Sequence, residues 1–338
     1  MVNRSIVPSL HRSIIQSRAA SLERARAAMG ELSGWYSRAT CAHSRRAPSR
    51  IRASGEGKGG NGARERANAN RESRRAALVS LTSCACALCA RKDARADVAL
   101  RAPAKEASER YDVKRDANVD ARFSRAMATT MRGFERAVVE RKTTLFQRAL
   151  SAYDGTREIS ICDVGAGTMP NAEFYAEASR GRAIDLICVD PNDSMRSYAE
   201  ENLQKARSRV SSGEVNARFV HGVSEALPLP DSSVDCVVST LVLCSVIDQG
   251  AALREIHRVL KPGGKFLFLE HVLSETDPKL AELQKKLTPL QVAVADGCRL
   301  DRRTLQAIRN EFAVVDGEYY ELDGFWVISP QVSGIAIA

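Results

Sequence analysis

The sequence predicts an α/β fold in which a doubly wound parallel sheet follows a leading segment that does not fold. From about residue 158 onward, short β-branched or aliphatic runs alternate with amphipathic stretches, a pattern typical of parallel strands joined by crossover helices. Residues 1–75, in contrast, contain 16 Lys and Arg against 5 Asp and Glu, and they show almost no apolar periodicity. A segment of that composition buries too little apolar surface to fold.

Each predicted element follows from its local pattern. Runs of Val, Ile and Leu bounded by turn residues predict strands, and apolar residues at helical spacing predict helices. Residues 104–150 are expected to form one or two leading helices that cover the site. Strands are predicted at residues 159–164, 183–190, 215–221, 234–240, 265–271, 313–321 and 326–338, and helices at residues 171–179, 194–209, 249–260, 274–287 and 302–312, the third helix stopping at Pro262-Gly263-Gly264.

The net charge and the length of the apolar runs argue against nucleic-acid binding and against a transmembrane segment. The chain carries a formal charge of +9, but residues 1–75 alone carry +11, so the remaining 34 Lys and Arg nearly balance 36 Asp and Glu. A nucleic-acid-binding protein displays positive charge on its folded surface, so no nucleic-acid partner is expected. The best apolar run, at residues 76–90, has 15 residues against the 18 or so that span a bilayer, so no stable transmembrane segment is expected. Peripheral membrane contact and the oligomeric state are left open.

Two successive N-terminal segments resemble targeting signals. The Arg-rich, Ser-rich and acid-poor residues 1–75 are typical of an organelle transit peptide, with a disordered basic tail as the alternative. Residues 76–96 follow the pair Arg74-Arg75, continue as an apolar run and end in small residues, as a cleavable signal does. This order resembles the bipartite signal of a thylakoid-lumen protein on the twin-arginine route, and a stromal or mitochondrial presequence is the alternative. We therefore expect a chloroplast protein with a leading helical segment at 97–150 and its main domain at 151–338.

No metal site is predicted. The thiols of Cys84, Cys86 and Cys89 are close in sequence, but they have no fourth ligand nearby and lie in the apolar run of the signal-like segment. Cys244 also lies in an apolar run, which favours packing in the core over a role as nucleophile.

The first strand, its turn and the second strand carry the chemistry. Two glycines one residue apart, Gly165 and Gly167, come directly after the first predicted strand, where the backbone must turn tightly and let a ligand approach. The second strand ends in Asp190, and an acid there can accept hydrogen bonds from both hydroxyls of a ribose. The sequence therefore predicts a cofactor that contains a nucleoside, bound at the carboxyl edge of the sheet.

Two residues discriminate between nucleoside cofactors. A dinucleotide needs a third glycine to cradle its pyrophosphate, and Pro170 stands in that place. The carboxylate of Asp163 would repel a phosphate and would suit a cationic amine. S-adenosyl-L-methionine has an amine, a ribose and no phosphate, so it is the predicted cofactor.

These residues resemble the class I S-adenosylmethionine-dependent methyltransferases of the type-11 group, over roughly residues 141–338. The stretch 163–167 resembles the first motif of that group, 188–190 the second, 222–235 the adenine loop and fourth strand, and 258–264 the motif before the fifth strand. Within the group, the methyltransferase-like thiol S-methyltransferases and their plant-type relatives are more similar, on the stretches 142–146, 171–175, 241–246, 269–272 and 296–300.

The resemblance implies a seven-stranded Rossmann-like methyltransferase sheet and a set of site residues. Two positions depart from the group's pattern: Met169 replaces a small residue of the first motif, and Val223 stands where many members have an Asp. On the substrate side of the site, the catalytic candidates are His271 and Asp296. The implied cofactor-binding residues are Asp163, Gly165, Gly167, Asp190, Pro191, Val223, Ser224 and Leu241.

The predicted activity is transfer of a methyl group from S-adenosyl-L-methionine to a small, apolar acceptor. The sequence shows no unmistakable base, which favours a thiol, because a thiol with a pKa of roughly 8.5 ionises with little help. Two alternatives stay open: a methyltransferase for prenylquinones or other lipids, and a protein that binds S-adenosylmethionine without catalysis.

Overall fold

A seven-stranded sheet organises the part of the chain that the computed structural model describes, residues 98–151, 153, 157–210 and 213–338. The strands follow the order β3-β2-β1-β4-β5-β7-β6; β1 to β5 are parallel, and β7 runs antiparallel between β5 and β6. The predicted doubly wound sheet is confirmed, whereas the predicted targeting segments, 1–75 and 76–96, lie outside the described residues. The strands are β1 Ile159–Val164, β2 Ala183–Asp190, β3 Glu214–His221, β4 Val234–Thr240, β5 Leu260–His271, β6 Val314–Glu321 and β7 Pro330–Ile337.

The central strand β1 is buried at all of its positions, as a parallel strand covered on both faces must be. Ile159 and Ile161 point into the core on one face of the sheet, and Cys162 and Val164 point into the core on the other. The chain order reverses between β1 and β4, which flank each other in the sheet. Ligands of doubly wound folds bind at the carboxyl ends of the strands beside such a reversal.

The helices cover both faces of the sheet. Buried residues of α3, α4 and α5 pack in the core on the face of Ile159, and those of α6 and α8 pack on the face of Cys162. No helix among the described residues is long and apolar enough to cross a bilayer. The helices are α1 Lys105–Tyr111, α2 Ala117–Thr130, α3 Arg132–Leu150, α4 Ala172–Ala178, α5 Arg196–Arg207, α6 Gln249–Val259, α7 Pro278–Val294 and α8 Thr304–Glu311.

The leading segment forms three helices, where the spacing predicted one or two. Helix α2 begins at Asp116, whose side chain accepts hydrogen bonds from the backbone N–H groups of Asn118 and Val119. Helix α3 buries a face that includes Phe134, Val138 and Leu145. This segment therefore packs against the α/β core along α3, while α1 buries none of its residues.

Several boundaries differ from the prediction. The helix predicted at residues 274–287 begins at Pro278 and continues through Pro289 to Val294. The hydroxyl of Thr288 donates to the carbonyl of Gln284 at 2.8 Å, a side-chain bond within the turn that Pro289 interrupts. The last strand, predicted from residue 326, begins at Pro330 after a short 3-10 turn at Trp326–Ile328. Strand β5 begins at Leu260, so Pro262-Gly263-Gly264 lies inside a strand rather than in a loop after helix α6.

Candidate functional site

The glycine turn after β1 adopts left-handed backbone conformations. Gly165 has φ +61° and Gly167 has φ +54°, a region that glycine enters without steric cost. A Cβ on Gly165 would lie 2.5 Å from Cγ2 of Val242, so only glycine lets the loop after β4 approach the turn. A Cβ on Gly167 would meet nothing closer than 3.8 Å. Gly167 is therefore required by its conformation, and the space beside it is free of side chains.

Met169 stands at the third small position of the turn, and its side chain points away from the turn. The backbone keeps the left-handed conformation, with φ +58°, and the side chain is fully buried in the core on the α3 face. The departure that the sequence shows at this position therefore leaves the turn intact. Its thioether fills the core instead of the predicted cofactor site.

The acid at the end of β2 lies directly against the glycine turn. One oxygen of Asp190 accepts a hydrogen bond from the backbone N–H of Gly167 at 2.8 Å, and the other accepts one from the N–H of Asn192 at 2.8 Å. Burial raises the pKa of Asp190 to about 6, against the opposing effect of these two N–H donors. The side chain is only partly buried, so its oxygens can still accept hydrogen bonds from ribose hydroxyls.

The loop after β3 lies beside Asp190. The backbone N–H of Gly222 donates to the carbonyl of Asp190 at 3.3 Å, and the next two residues, Val223 and Ser224, are buried. Val223 forms an isolated bridge with Ala226, which closes the loop into a compact turn. The structure thus brings the two predicted adenine-side residues to the predicted ribose acid.

The remaining two predicted cofactor residues also lie at this edge. Pro191 follows the last residue of β2 and is partly exposed. Leu241 follows β4 with φ +59°, and its N–H donates to the carbonyl of Leu269 in β5 at 2.9 Å.

Asp163 takes part in a buried polar network. Its Oδ2 accepts a hydrogen bond from the hydroxyl of Tyr175 at 2.7 Å and a longer one, 3.4 Å, from the amide of Asn171. The ammonium of Lys142 is also buried and donates to Asn171 and to Glu135. Burial raises the pKa of Asp163 to about 6, although the bonds from Tyr175 and Asn171 lower it.

The network explains residues that the motif analysis did not assign. Lys142, Asn171 and Tyr175 all lie in the stretches that carry the resemblance to thiol S-methyltransferases, and this was the signal that could have found them. One oxygen of Asp163 is engaged inside the protein. The contact of Asp163 with the cofactor amine stays a prediction.

His271, a predicted catalytic residue, ends β5 and is 3% exposed. Its Nε2 lies 3.0 Å from the Sγ of Cys298, and Cys244 is also part of this cluster, because its Sγ lies within 4.8 Å of both ligand atoms. Burial lowers the pKa of His271, but the sulfur of Cys244 and the carboxylate of Glu270 outweigh burial and raise it. The hydrogen bond from Cys244 lowers the pKa of the Cys298 thiol. Cys244 is buried, as predicted, but in a polar cluster rather than in purely apolar packing.

Asp296, the second predicted catalytic residue, lies in an ion-pair cluster at the N-terminal helices. Its Oδ1 is 2.7 Å from a guanidinium nitrogen of Arg115, and the same guanidinium contacts Asp120 at 2.8 Å. Arg115 precedes α2 and Asp296 follows α7, so the pair joins the leading segment to the loop after α7. After burial and the two backbone hydrogen bonds, the charges of Asp296 and Arg115 also affect the pKa of Asp190, which places this pair near the cofactor edge. The motif analysis missed Arg115 and Asp120.

This edge of the sheet fits S-adenosyl-L-methionine. Gly167 leaves open space beside the turn, where the methionine part of the cofactor would lie, and the carboxylate of Asp190 would accept hydrogen bonds from the ribose. Val223 and Ser224 would form a buried wall for the adenine next to Asp190.

Comparisons with known proteins agree with this arrangement. The profile of a methyltransferase domain matches residues 162–268, which cover β1 to most of β5. The human thiol S-methyltransferase TMT1A is 34% identical over 212 residues, which cover 60% of this chain and 81% of that protein. The rat thiol S-methyltransferase TMT1B is 32% identical over 218 residues, 64% of this chain and 85% of that protein.

A second group of relatives is named for a different acceptor. The ubiquinone/menaquinone biosynthesis C-methyltransferase UbiE of Cronobacter sakazakii is 31% identical over 187 residues, which cover 48% of this chain and 69% of that protein. Both groups are methyltransferases. The chain therefore belongs to the class I S-adenosylmethionine-dependent methyltransferases, and it is an enzyme that uses S-adenosyl-L-methionine as its cofactor.

Proposed function

We propose that this methyltransferase transfers the methyl group to the thiol of a small, apolar acceptor. The observation that carries the proposal is the similarity to thiol S-methyltransferases over more than four fifths of their length. The chemistry at the carboxyl ends of β4 and β5 supports it. The carboxylate of Glu270 accepts hydrogen bonds from the hydroxyl of Ser239 and the N–H of Val242, so one of its oxygens is already engaged. Cys244, His271 and Cys298 offer soft donors and an imidazole instead.

The cofactor supplies a methyl group on a positively charged sulfur, which a nucleophile attacks in line. The protein positions the two reactants and excludes water. Asp190 orients the ribose, the turn at Gly165 and Gly167 accommodates the methionine part, and the leading helices cover this edge through Arg115. A thiol acceptor needs little help to lose its proton, because its pKa is roughly 8.5.

A prenylated quinol is the second candidate acceptor. The match to UbiE over 69% of that protein favours it. A ring carbon or phenol of a quinol requires more activation than a thiol.

The experiment is a turnover assay with the purified full-length chain, radiolabelled cofactor and two acceptor panels, small alkyl and aryl thiols and short-chain prenylated quinols. We expect labelled thioethers from the thiols, and no product with Asp190→Ala. Product from quinols alone would overturn the thiol proposal in favour of the second candidate. Cofactor binding without turnover on either panel would overturn both proposed acceptor classes.

We also propose that the chain is imported into a plastid and passed to the thylakoid lumen. The Arg-rich, acid-poor residues 1–75 and the arginine pair before the apolar run support this. A fluorescent protein fused behind residues 1–97 tests it in plant or algal cells. We expect lumenal fluorescence, and we expect fluorescence in the stroma when Arg74 and Arg75 are both replaced by Lys. Mitochondrial fluorescence would contradict the proposal.

A further inference from the structure

Three buried side chains from three separate segments converge beside the cofactor edge. Cys244 follows β4, His271 ends β5 and Cys298 lies in the loop after α7, and their ligand atoms are all within 4.8 Å of one another. We propose that these three residues bind a zinc ion and that the acceptor thiolate occupies the fourth coordination position. The second part rests on the proposed thiol acceptor, whereas the first part does not.

The donor set is suited to zinc. Two sulfurs and one imidazole nitrogen are ligands that zinc prefers, with Zn–S of about 2.3 Å and Zn–N of about 2.0–2.1 Å. At a tetrahedral angle these bonds place sulfur and nitrogen about 3.5 Å apart. The observed separation of His271 Nε2 and Cys298 Sγ is 3.0 Å, so these two atoms would move apart by about half an ångström to bind the ion.

The backbone holds the three segments together before any ion binds. The N–H of Arg299 donates to the carbonyl of Cys244 at 2.9 Å, which fastens the loop of Cys298 to the loop after β4. Asp296 and Gly297 are both left-handed, with φ +50° and +79°, and they turn the chain so that Cys298 enters the interior. A Cβ on Gly297 would lie 3.0 Å from the carbonyl oxygen of Ser245, so the two loops are in close contact.

The surroundings of the cluster leave its polar atoms available. The amide of Gln291 donates to Cys298 Sγ at 3.6 Å, a contact of the kind that orients metal ligands from outside. The Nδ1 of His271 is buried and has no hydrogen-bond partner among the described residues.

The position of the cluster points to the methyl acceptor. Val242, two residues before Cys244, packs on Gly165 of the cofactor turn, so the cluster lies next to that turn. Zinc sites with three protein ligands keep a fourth position open for a substrate, whereas structural sites are closed by four. A thiolate is a soft ligand that matches this site, and coordination deprotonates a thiol.

Protons and electrons balance in the proposed methyl transfer. Zinc binding releases the thiol protons of Cys244 and Cys298 to solvent, and the acceptor thiol releases its proton when it coordinates. The acceptor sulfur then forms a bond to the methyl carbon, and the electron pair of the breaking carbon–sulfur bond stays on the cofactor sulfur. The products are a thioether and S-adenosylhomocysteine, and no oxidant is needed.

The test uses the full-length chain, kept reduced, freed of metal with a chelator and titrated with Co²⁺. Cobalt in a tetrahedral site with sulfur ligands gives characteristic visible and charge-transfer absorption. We expect one equivalent of cobalt in the wild type and in Cys162→Ser, a buried cysteine of β1 outside the cluster. We expect binding that is at least about tenfold weaker in Cys298→Ser and in His271→Gln. Absence of stoichiometric cobalt binding, or equal binding in all four proteins, would overturn the zinc site.

The fourth ligand is tested on the cobalt-loaded protein without cofactor. A small alkyl thiol should shift the cobalt spectrum, and the corresponding alcohol should not. An unchanged spectrum would overturn the fourth-ligand assignment. Failure of the proposed function gives a different pattern, in which cobalt binds and responds to thiol but no thiol is methylated. If thiols are methylated by protein that binds no metal, the inference fails and the proposed function stands.

Discussion

The carboxylate of Asp190 accepts a hydrogen bond of 2.8 Å from the backbone N–H of Gly167. This bond joins the end of β2 to the glycine turn after β1, so that the two sequence motifs form one binding edge. The second oxygen is held by the N–H of Asn192. The carboxylate is therefore oriented before the cofactor arrives.

The first prediction concerns Asp190→Ala. Loss of hydrogen bonds to a charged acceptor is worth about 1.5–3 kcal/mol. We expect the affinity for S-adenosylmethionine and S-adenosylhomocysteine to fall about 10- to 150-fold in calorimetric titration. Asp193→Ala is the matched control, because Asp193 lies three residues further on with its side chain 78% exposed. Equal losses in both variants, or no loss in Asp190→Ala, would contradict the assignment of the ribose acid.

The second prediction is the pH dependence of cofactor binding. Ribose hydroxyls donate to the ionised form of Asp190, whose pKa is about 6. Affinity should be constant above pH 7 and should fall by about tenfold per pH unit well below pH 6. Calorimetric titration between pH 5 and pH 8 measures this. If Asp190→Asn keeps the same slope, the titration belongs instead to Asp163, whose pKa is also about 6.

Ionisation of Asp190 should affect folding stability in the opposite direction from cofactor affinity: as pH rises, the affinity increases and the stability decreases. The pKa of Asp190 is about 6 in the folded protein and 3.8 in its reference state. A raised carboxyl pKa contributes stability that is fully present below pH 3.8 and is lost as pH rises through about 6. The cofactor-free wild type should therefore lose more stability than Asp190→Asn between pH 5 and pH 7, as urea unfolding can measure.

The strands of the core were predictable because burial on both faces restricts their residues to apolar types. The bounds of β1, β2 and β4 match the predicted ranges, since each is a short apolar run covered on both faces. The bounds of helix α7 were not predictable from local pattern, because the helix is held by tertiary contacts such as those of the buried Gln284 with the carbonyls of Val272 and Val327.

The site was predictable where it depends on one turn or one strand end. Gly165, Gly167 and Asp190 belong to this class. Contacts between distant segments have no local pattern: Arg115 meets Asp296 from 181 positions away, and Cys244, His271 and Cys298 come from three separate segments. The burial of the Met169 side chain also could not be predicted from the sequence, because it depends on how the core packs under the turn.

The third prediction separates strain from packing at Met169. A non-glycine residue at φ +58° stores about 1–3 kcal/mol of strain, and truncation of a buried Met costs about 2–5 kcal/mol. Met169→Gly removes both, so we expect a net destabilisation of about 1–4 kcal/mol in urea unfolding. Met169→Leu should cost less than about 1.5 kcal/mol. Cofactor affinity should stay close to that of the wild type in both variants, and a large loss in Met169→Leu would show that this side chain reaches the cofactor.

The fourth prediction concerns the ion pair between Arg115 and Asp296, which are 22% and 32% exposed. Arg115 favours the ionised form of Asp190 and Asp296 disfavours it. Arg115→Met should therefore weaken cofactor affinity about two- to fivefold at pH 6.5, equivalent to roughly 0.5–1 kcal/mol, and should move the midpoint of its pH profile upward. Asp296→Asn should move the midpoint downward, and the double variant should lie near the wild type.

This set of variants also decides the role of Asp296. A residue that acts through Arg115 and Asp190 changes cofactor binding and its pH profile but leaves the turnover number of the saturated enzyme nearly unchanged. A general base, in contrast, contributes about 10²- to 10⁴-fold to the rate of the chemical step. We expect Asp296→Asn to change the binding profile and to retain most of the turnover number. A loss of a hundredfold or more at unchanged cofactor affinity would establish Asp296 as a catalytic residue and would overturn its positioning role.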